Sequence, residues 1–146
     1  MTDDLPLLTP RTVGETENGL RALLVQTLRG TDLDYPRWVV LSVVARSPSP
    51  VSATGLASRL VASLRIDDTA AIALIDDLRA RRLVHGVGDS VAMTPEGTTL
   101  FARLDAEIGD LTRQLWAGID VDDLAAAQRV LATIIARSNE LLVRTS

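Results

Sequence analysis

The chain has 146 residues, of which 47% are hydrophobic, so one domain with a packed core is the expected organisation. Cysteine is absent and aromatic residues make up only 3%, which excludes disulfide frameworks and thiolate metal sites and argues against modules that stack nucleic-acid bases. The formal net charge is −4 and all 15 basic residues are Arg, so contact with DNA would need a local basic patch.

Hydropathy predicts neither membrane insertion nor secretion. The longest mostly apolar run, residues 38–45, is too short to cross a bilayer. The N-terminal segment lacks the basic region followed by an apolar region that a secretory signal would have. We therefore expect a cytoplasmic protein that does not contact membranes.

The first two predicted elements are helices. Residues 12–30 place leucines along one helical face, and Gly30 is a typical stop signal. The second helix is predicted to begin at Asp34 or Tyr35, with a proline in its first turn, where the missing N–H costs little. The proline-rich residues 47–50 are expected to end it.

Residues 51–97 predict a helix-turn-helix followed by a β-hairpin. Apolar side chains recur on one face of each helix, namely Leu56, Ala57 and Leu60 in the first and Ala71, Leu74, Ile75 and Leu78 in the second. Two short strands, 83–85 and 91–93, flank a turn-rich linker over residues 86–90. A helix pair followed by such a wing is a known way to present a helix to the DNA major groove.

Two long helices are predicted after the wing. Thr94 is the expected N-cap of the first, with Pro95 at its first position, and acidic residues from Asp120 onward begin the second. The last helix carries an apolar stripe too long for a small winged core to cover. A partner is therefore expected to cover it.

Four short motifs, in this order of elements, resemble the MarR family of bacterial transcriptional regulators. They are Tyr-Pro-Arg-Trp at 35–38, Leu-Ala-Ser-Arg-Leu at 56–60, the segment 74–84 that closes the helix-turn-helix, and Met-Thr-Pro-Glu-Gly at 93–97. Each motif is short, but together they occur with compatible spacing over nearly the whole chain.

The resemblance implies a mostly α (α+β) fold, a winged helix-turn-helix with long N- and C-terminal dimerisation helices. It also implies a homodimer, a pseudo-palindromic double-stranded DNA operator and a small, often aromatic effector held between the dimer helices and the winged domain. We accordingly expect a flexible tail and a single MarR-like domain, with the boundaries 1–11 for the tail, 12–146 for the domain, 34–95 for its winged core, and 12–33 and 96–146 for its dimerisation helices.

The chain departs from the family pattern at several positions. The link at residues 61–66 is longer than the usual tight turn, and the wing is short and lacks the Asp-Arg-Arg that carries an Arg into the minor groove. Arg82 replaces the usual Gly before Leu83. Asp67 and Asp68 are interpreted as a helix cap and a first-turn residue, whereas Asp77 has no interpretation from the sequence.

The candidate DNA contacts lie on the helix-turn-helix and the wing. Arg59 and Arg65 flank the turn, where contacts to phosphates are expected, although ordinary solvated arginines are an equally good interpretation. The set is completed by small side chains on the second helix of the helix-turn-helix and by the single histidine of the wing. It comprises Arg59, Arg65, Thr69, Ala70, Ala73 and His85. Arg79 and Arg81 are interpreted as solvated.

The candidate effector contacts are aromatic: Tyr35, Trp38 and Trp116. Their alternative role is core packing, most of all for Trp38, and Tyr35 is the best candidate because its hydroxyl can bind a ligand. His85 has no second histidine or cysteine with which to form a zinc site or a catalytic triad. The sequence therefore predicts no catalytic residue, no metal site and no cofactor.

The function predicted is that of a homodimeric, DNA-binding transcriptional regulator that responds to a small aromatic ligand, and not that of an enzyme. The alternative is a degenerate winged-helix module with weak or no DNA binding, acting through protein or ligand contacts. The acidic second helix and the short wing favour this alternative.

Overall fold

The computed structural model describes residues 7–145. Within them, the elements in chain order are α1 Pro10–Leu28, α2 Tyr35–Arg46, β1 Val51–Ser52, α3 Ala53–Leu64, α4 Asp68–Ala80, β2 Val84–His85, β3 Ser90–Met93, α5 Pro95–Trp116 and α6 Val121–Arg144. The chain divides into two compact units, one up to Gly109 and one from Asp110 onward. The helix-turn-helix and the wing lie in the first unit.

Side-chain caps determine where the first helices begin. Thr9 Oγ1 accepts a hydrogen bond from the Thr12 amide at 3.1 Å, so α1 begins at Pro10, earlier than the predicted residue 12. Part of the expected tail is therefore helical, and residues 1–6 of it lie outside the described residues. The carboxylate of Asp34 accepts from the Arg37 amide at 3.1 Å and caps α2 as predicted.

The link inside the helix-turn-helix is a tight turn, which corrects the expectation of a long one. Helix α3 continues to Leu64 because Val61 and Leu64 still pack against the core. Arg65 then adopts a left-handed conformation, with φ 56° and ψ 44°. Asp67 accepts from the Ala70 amide at 2.7 Å and caps α4, as predicted for this residue.

The wing is a three-stranded antiparallel sheet with the strand order β1-β3-β2. The predicted hairpin is formed by β2 and β3, in which Val84 pairs with Met93. Strand β1, in which Val51 pairs with Val91, was not predicted, because two residues are too few to show an alternating pattern. It ties the start of α3 to the wing.

The core of the first unit is aliphatic. Its largest fully buried side chains are Leu41, Leu60, Leu78, Leu104, Val40, Val84 and Val91. Gly97, in the first turn of α5, lies so close to the residue before β2 that an added Cβ would stand 2.0 Å from the Leu83 carbonyl oxygen. This close approach explains the glycine of the Met-Thr-Pro-Glu-Gly motif.

Helix α6, in the second unit, contains no buried residue. Large apolar side chains are exposed along it, namely Val121, Val130, Leu131, Ile134, Ile135, Leu141, Leu142 and Val143. No helix among residues 7–145 is long and apolar enough to cross a membrane.

Candidate nucleic-acid interface

Helix α4 has one buried face and one exposed face. Ala71, Ile75 and Leu78 are buried, and this stripe fixes which side of the helix is turned outward. Among the predicted contacts, Thr69 and Ala73 are exposed and Ala70 is partly buried. The structure therefore places the three small residues on or beside an accessible face of α4, the second helix of the helix-turn-helix.

Ile72 shares this exposed face and was not among the predicted contacts. Its exposed fraction is 52%, and it lies in the middle of the helix. A groove of about 440 Å³ between α3 and α4 runs beside it, lined in part by the small side chains Ala53 and Ala57. The sequence did contain a signal that Ile72 is a surface residue, because it is an apolar residue outside the predicted buried stripe.

Arg59 and Arg65 lie at the end of α3, on either side of its last turn, and both are exposed. Nη1 of Arg59 donates to Ser47 Oγ at 3.2 Å, which ties the guanidinium to the end of α2. Arg65 is the C-cap of α3 and begins the turn. These are the positions at which a helix-turn-helix offers cations to a phosphate backbone.

The wing is short, and a backbone hydrogen bond closes the turn at its tip. The Ser90 amide donates to the Val87 carbonyl at 3.3 Å and closes the turn, while Val87 itself is 93% exposed. His85 is exposed on β2, paired with Ala92. Residues 86–90 contain no basic side chain.

Asp89 joins the wing to the start of α3. Its carboxylate accepts from Ser52 Oγ at 2.7 Å and from both the amide and the hydroxyl of Thr54 at 2.8 Å. These hydrogen bonds, that from Ser52 foremost, hold the pKa of Asp89 below its usual range. The carboxylate thus fixes the wing against the first helix of the helix-turn-helix.

Arg79 makes a second connection to the wing, so the interpretation of it as a solvated residue is wrong. Its Nη2 donates to the carbonyls of Gly88 and Ser90, each at 3.3 Å, and its Nη1 lies 3.2 Å from Asp76 Oδ1. The Nε atom is buried and has no hydrogen-bond partner within the described residues. The guanidinium spans from α4 to the wing turn and is held there by the backbone.

Asp77, which the sequence left without interpretation, bridges two arginines. Its Oδ2 accepts from Arg37 Nε and from Arg81 Nε, each at 2.6 Å. Hydrogen bonds from Arg37, then Arg81, keep the pKa of Asp77 below its usual value. Arg81 is exposed, as predicted, and also donates to the Asp32 carbonyl at 2.7 Å.

The aromatic candidates for effector binding differ in exposure. Trp38 is buried and stacks on Phe101 with ring centroids 5.5 Å apart, which is the core-packing role. Tyr35 is partly buried, with the Arg21 guanidinium 4.8 Å from its ring centroid. Trp116, at the end of α5, is 40% exposed. A ligand role for the three stays a prediction.

Comparison with known proteins gives matches at the level of structure. No protein-family model matches the chain, and no curated protein sequence does. The transcriptional regulator PA3341 is 24% identical, with a TM-score of 0.74 over 89% of this chain and 97% of that one. The MarR family protein Rv2887 of Mycobacterium tuberculosis, in complex with DNA, is 20% identical, with a TM-score of 0.68 over 90% of this chain and 98% of that one.

CouR from Rhodococcus jostii RHA1, bound to p-coumaroyl-CoA, is also 20% identical, with a TM-score of 0.70 over 85% of this chain and 88% of that one. At these identities the similarity establishes a shared fold. The predicted fold class, mostly α with a winged helix-turn-helix, is confirmed.

Proposed function

We propose that this chain, which has the fold of the MarR-family transcriptional regulators, is itself a DNA-binding transcriptional regulator. The observation that carries the proposal is the exposed face of α4, held beside a wing that Asp89 and Arg79 fix in place. A similar fold in complex with DNA, that of Rv2887, supports it. A regulator of this kind would act in the cytoplasm.

The proposal includes a homodimer and a pseudo-palindromic operator. The apolar side chains of α6 support dimerisation, because leaving them in water is costly at about 25 cal/mol per Å² of apolar surface. A two-fold dimer would present two copies of α4, and each copy would then meet one half of a symmetric DNA site.

A small aromatic effector is the second part of the proposal. CouR binds p-coumaroyl-CoA, a ligand with an aromatic group, and this supports an effector of that class. Tyr35 is the first residue proposed to contact it, and Trp38 and Trp116 stay candidates, each considered by itself. An aromatic acid that binds the folded protein there would raise its melting temperature, and would do so less in Tyr35→Ala.

The degenerate module remains the second candidate function. Asp68 and Asp76 are exposed on α4, and residues 86–90 of the wing carry no basic side chain. Both features weaken attraction to phosphates. A chain with this fold and without DNA binding would act through protein or ligand contacts.

Salt-dependent DNA binding distinguishes the two functions. We expect Arg59→Gln and Arg65→Gln each to weaken binding about equally on all duplexes, because phosphate contacts carry no sequence information. Each lost contact should flatten the log–log salt slope by about 0.9, hence by about 1.8 for a dimer. Arg103→Gln, on α5, is the matched control and should change neither quantity.

The measurement is fluorescence anisotropy of a labelled duplex at several salt concentrations. Absence of binding by the wild-type chain at low salt would favour the degenerate module. Binding that is unaffected by both substitutions would show that other residues meet the phosphates.

A further inference from the structure

We propose that the exposed face of α4 selects thymine-containing DNA through apolar contact between Ile72 and the thymine C5-methyl group. The inference rests on the proposed function and goes beyond it by naming a base and the residue that reads it. Its starting point is the chemistry of the exposed face of α4, formed by Thr69, Ile72, Ala73 and Asp76.

These four side chains form one continuous surface. Their spacing is i, i+3, i+4 and i+7, so they lie next to one another on the helix. Thr69, Ala73 and Asp76 are exposed, and Ile72 is exposed over 52% of its surface. A base edge that reaches α4 would meet this surface first.

The surface has no side chain suited to guanine. Guanine presents the acceptors N7 and O6 in the major groove, which Arg or Lys normally contacts. The one Arg of α4, Arg79, has its guanidinium on wing carbonyls and on Asp76. The Asp76 carboxylate is itself an acceptor, so it cannot donate to the guanine acceptors.

Thymine is the base that the apolar side chain of Ile72 can recognise. It alone carries a methyl group in the major groove, and apolar side chains contact that group. The α3 residues beside Ile72 are small, Ala53 and Ala57 among them, and the groove of about 440 Å³ between the helices leaves room beside the isoleucine. A methyl group therefore reaches Ile72 without displacing a protein side chain.

The test removes only the methyl group. Duplexes that bind the wild-type chain are selected from a random pool, and the best is resynthesised with deoxyuridine in place of thymine, one position of each half-site at a time. Deoxyuridine pairs as thymine does but lacks the methyl. We expect about fourfold weaker binding for each methyl removed next to Ile72, the equivalent of about 0.8 kcal/mol.

Ile72→Ala completes a double-mutant cycle with the DNA. This exposed position can be truncated without opening a core cavity, and the variant should bind the thymine and deoxyuridine duplexes with nearly equal affinity. Leu8→Ala, at an apolar position before α1 that is also 52% exposed, is the control and should keep the wild-type ratio.

Each of the other possible results overturns a stated part of the proposal. Equal affinity of the wild type for both duplexes would overturn the methyl contact and leave the proposed function standing. A thymine preference that persists in Ile72→Ala would assign the contact to another residue. If the pool yields no enriched duplex, the proposed function fails, and the inference fails with it.

Discussion

Arg82 has a backbone conformation that residues with a side chain rarely adopt. Its φ of 61° is left-handed, and it follows the C-cap of α4. The Leu83 amide donates to the Leu78 carbonyl at 3.0 Å, and the Arg82 amide donates to Arg79 at 3.0 Å, the two bonds of a Schellman motif. Glycine is the residue that this position favours, because it adopts a left-handed backbone without strain.

We therefore predict that Arg82→Gly stabilises the protein. Relief of the left-handed strain is worth about 1 kcal/mol, partly offset by the greater freedom of glycine in the unfolded chain. Thermal unfolding should shift upward by about 2–4 °C per kcal/mol. Arg82→Ala removes the same charge and keeps the strain, so it should give no gain. Equal stability of the two variants would contradict the strain argument.

At the scale of elements, the junction of wing and helix-turn-helix depends on one carboxylate. Asp89 is bonded to Ser52 and Thr54, and its pKa lies below the ordinary value of 3.8. A carboxylate with a lowered pKa adds stability above its unfolded pKa, and this contribution is lost as the pH falls through the folded value.

We predict that Asp89→Asn destabilises the protein at pH 7 and that the difference from wild type shrinks as the pH falls below about 3.8. At that acidity the wild-type carboxyl becomes protonated and resembles the amide. Urea unfolding at a fixed protein concentration, repeated from pH 7 downward, measures the difference. Glu107→Gln, at an exposed position of α5, serves as the charge control. A deficit that stays constant with pH would mean that ionisation of Asp89 contributes nothing.

The elements that sequence predicted best are those with local signals. Asp34, Asp67 and Pro95 mark helix starts by caps and proline, and the structure confirms each start. The prediction of a long link at residues 61–66 was wrong, because the continuation of α3 depends on Val61 and Leu64 packing against the core. Packing partners far along the chain are not visible in a local pattern.

The side chains that organise the site were the hardest to predict. Asp77 is 40 residues from Arg37 in sequence, and Asp89 is 35 residues from Thr54. Such pairs exist only after the fold brings the segments together. Ile72 differs from these pairs, because an apolar residue off the buried stripe is a local signal that was present in the sequence.

At the scale of the whole molecule, α6 is the element least explained by a single chain. It has no buried residue, and Ile134 and Leu141 are 44% and 60% exposed. We predict that Ile134→Asp combined with Leu141→Asp gives monomers or insoluble protein, because charges on an interface must be desolvated.

Sedimentation equilibrium measures this prediction against the chain mass of 15.7 kDa. The wild type should sediment at twice that mass. Ala132→Asp combined with Ala136→Asp places the same two charges on the opposite face of α6 and should leave the dimer intact. A soluble, folded Ile134→Asp, Leu141→Asp protein that still sediments as a dimer would rule out this face as the interface.

As a dimer, the chain should bind a specific duplex through its helix-turn-helix. The most direct measurement is a gel-shift titration of the full chain with the DNA upstream of its own gene, at physiological salt and with an excess of unrelated duplex. We predict saturable binding that survives the competitor. Binding that the unrelated duplex abolishes, or no binding to any duplex, would contradict the claim.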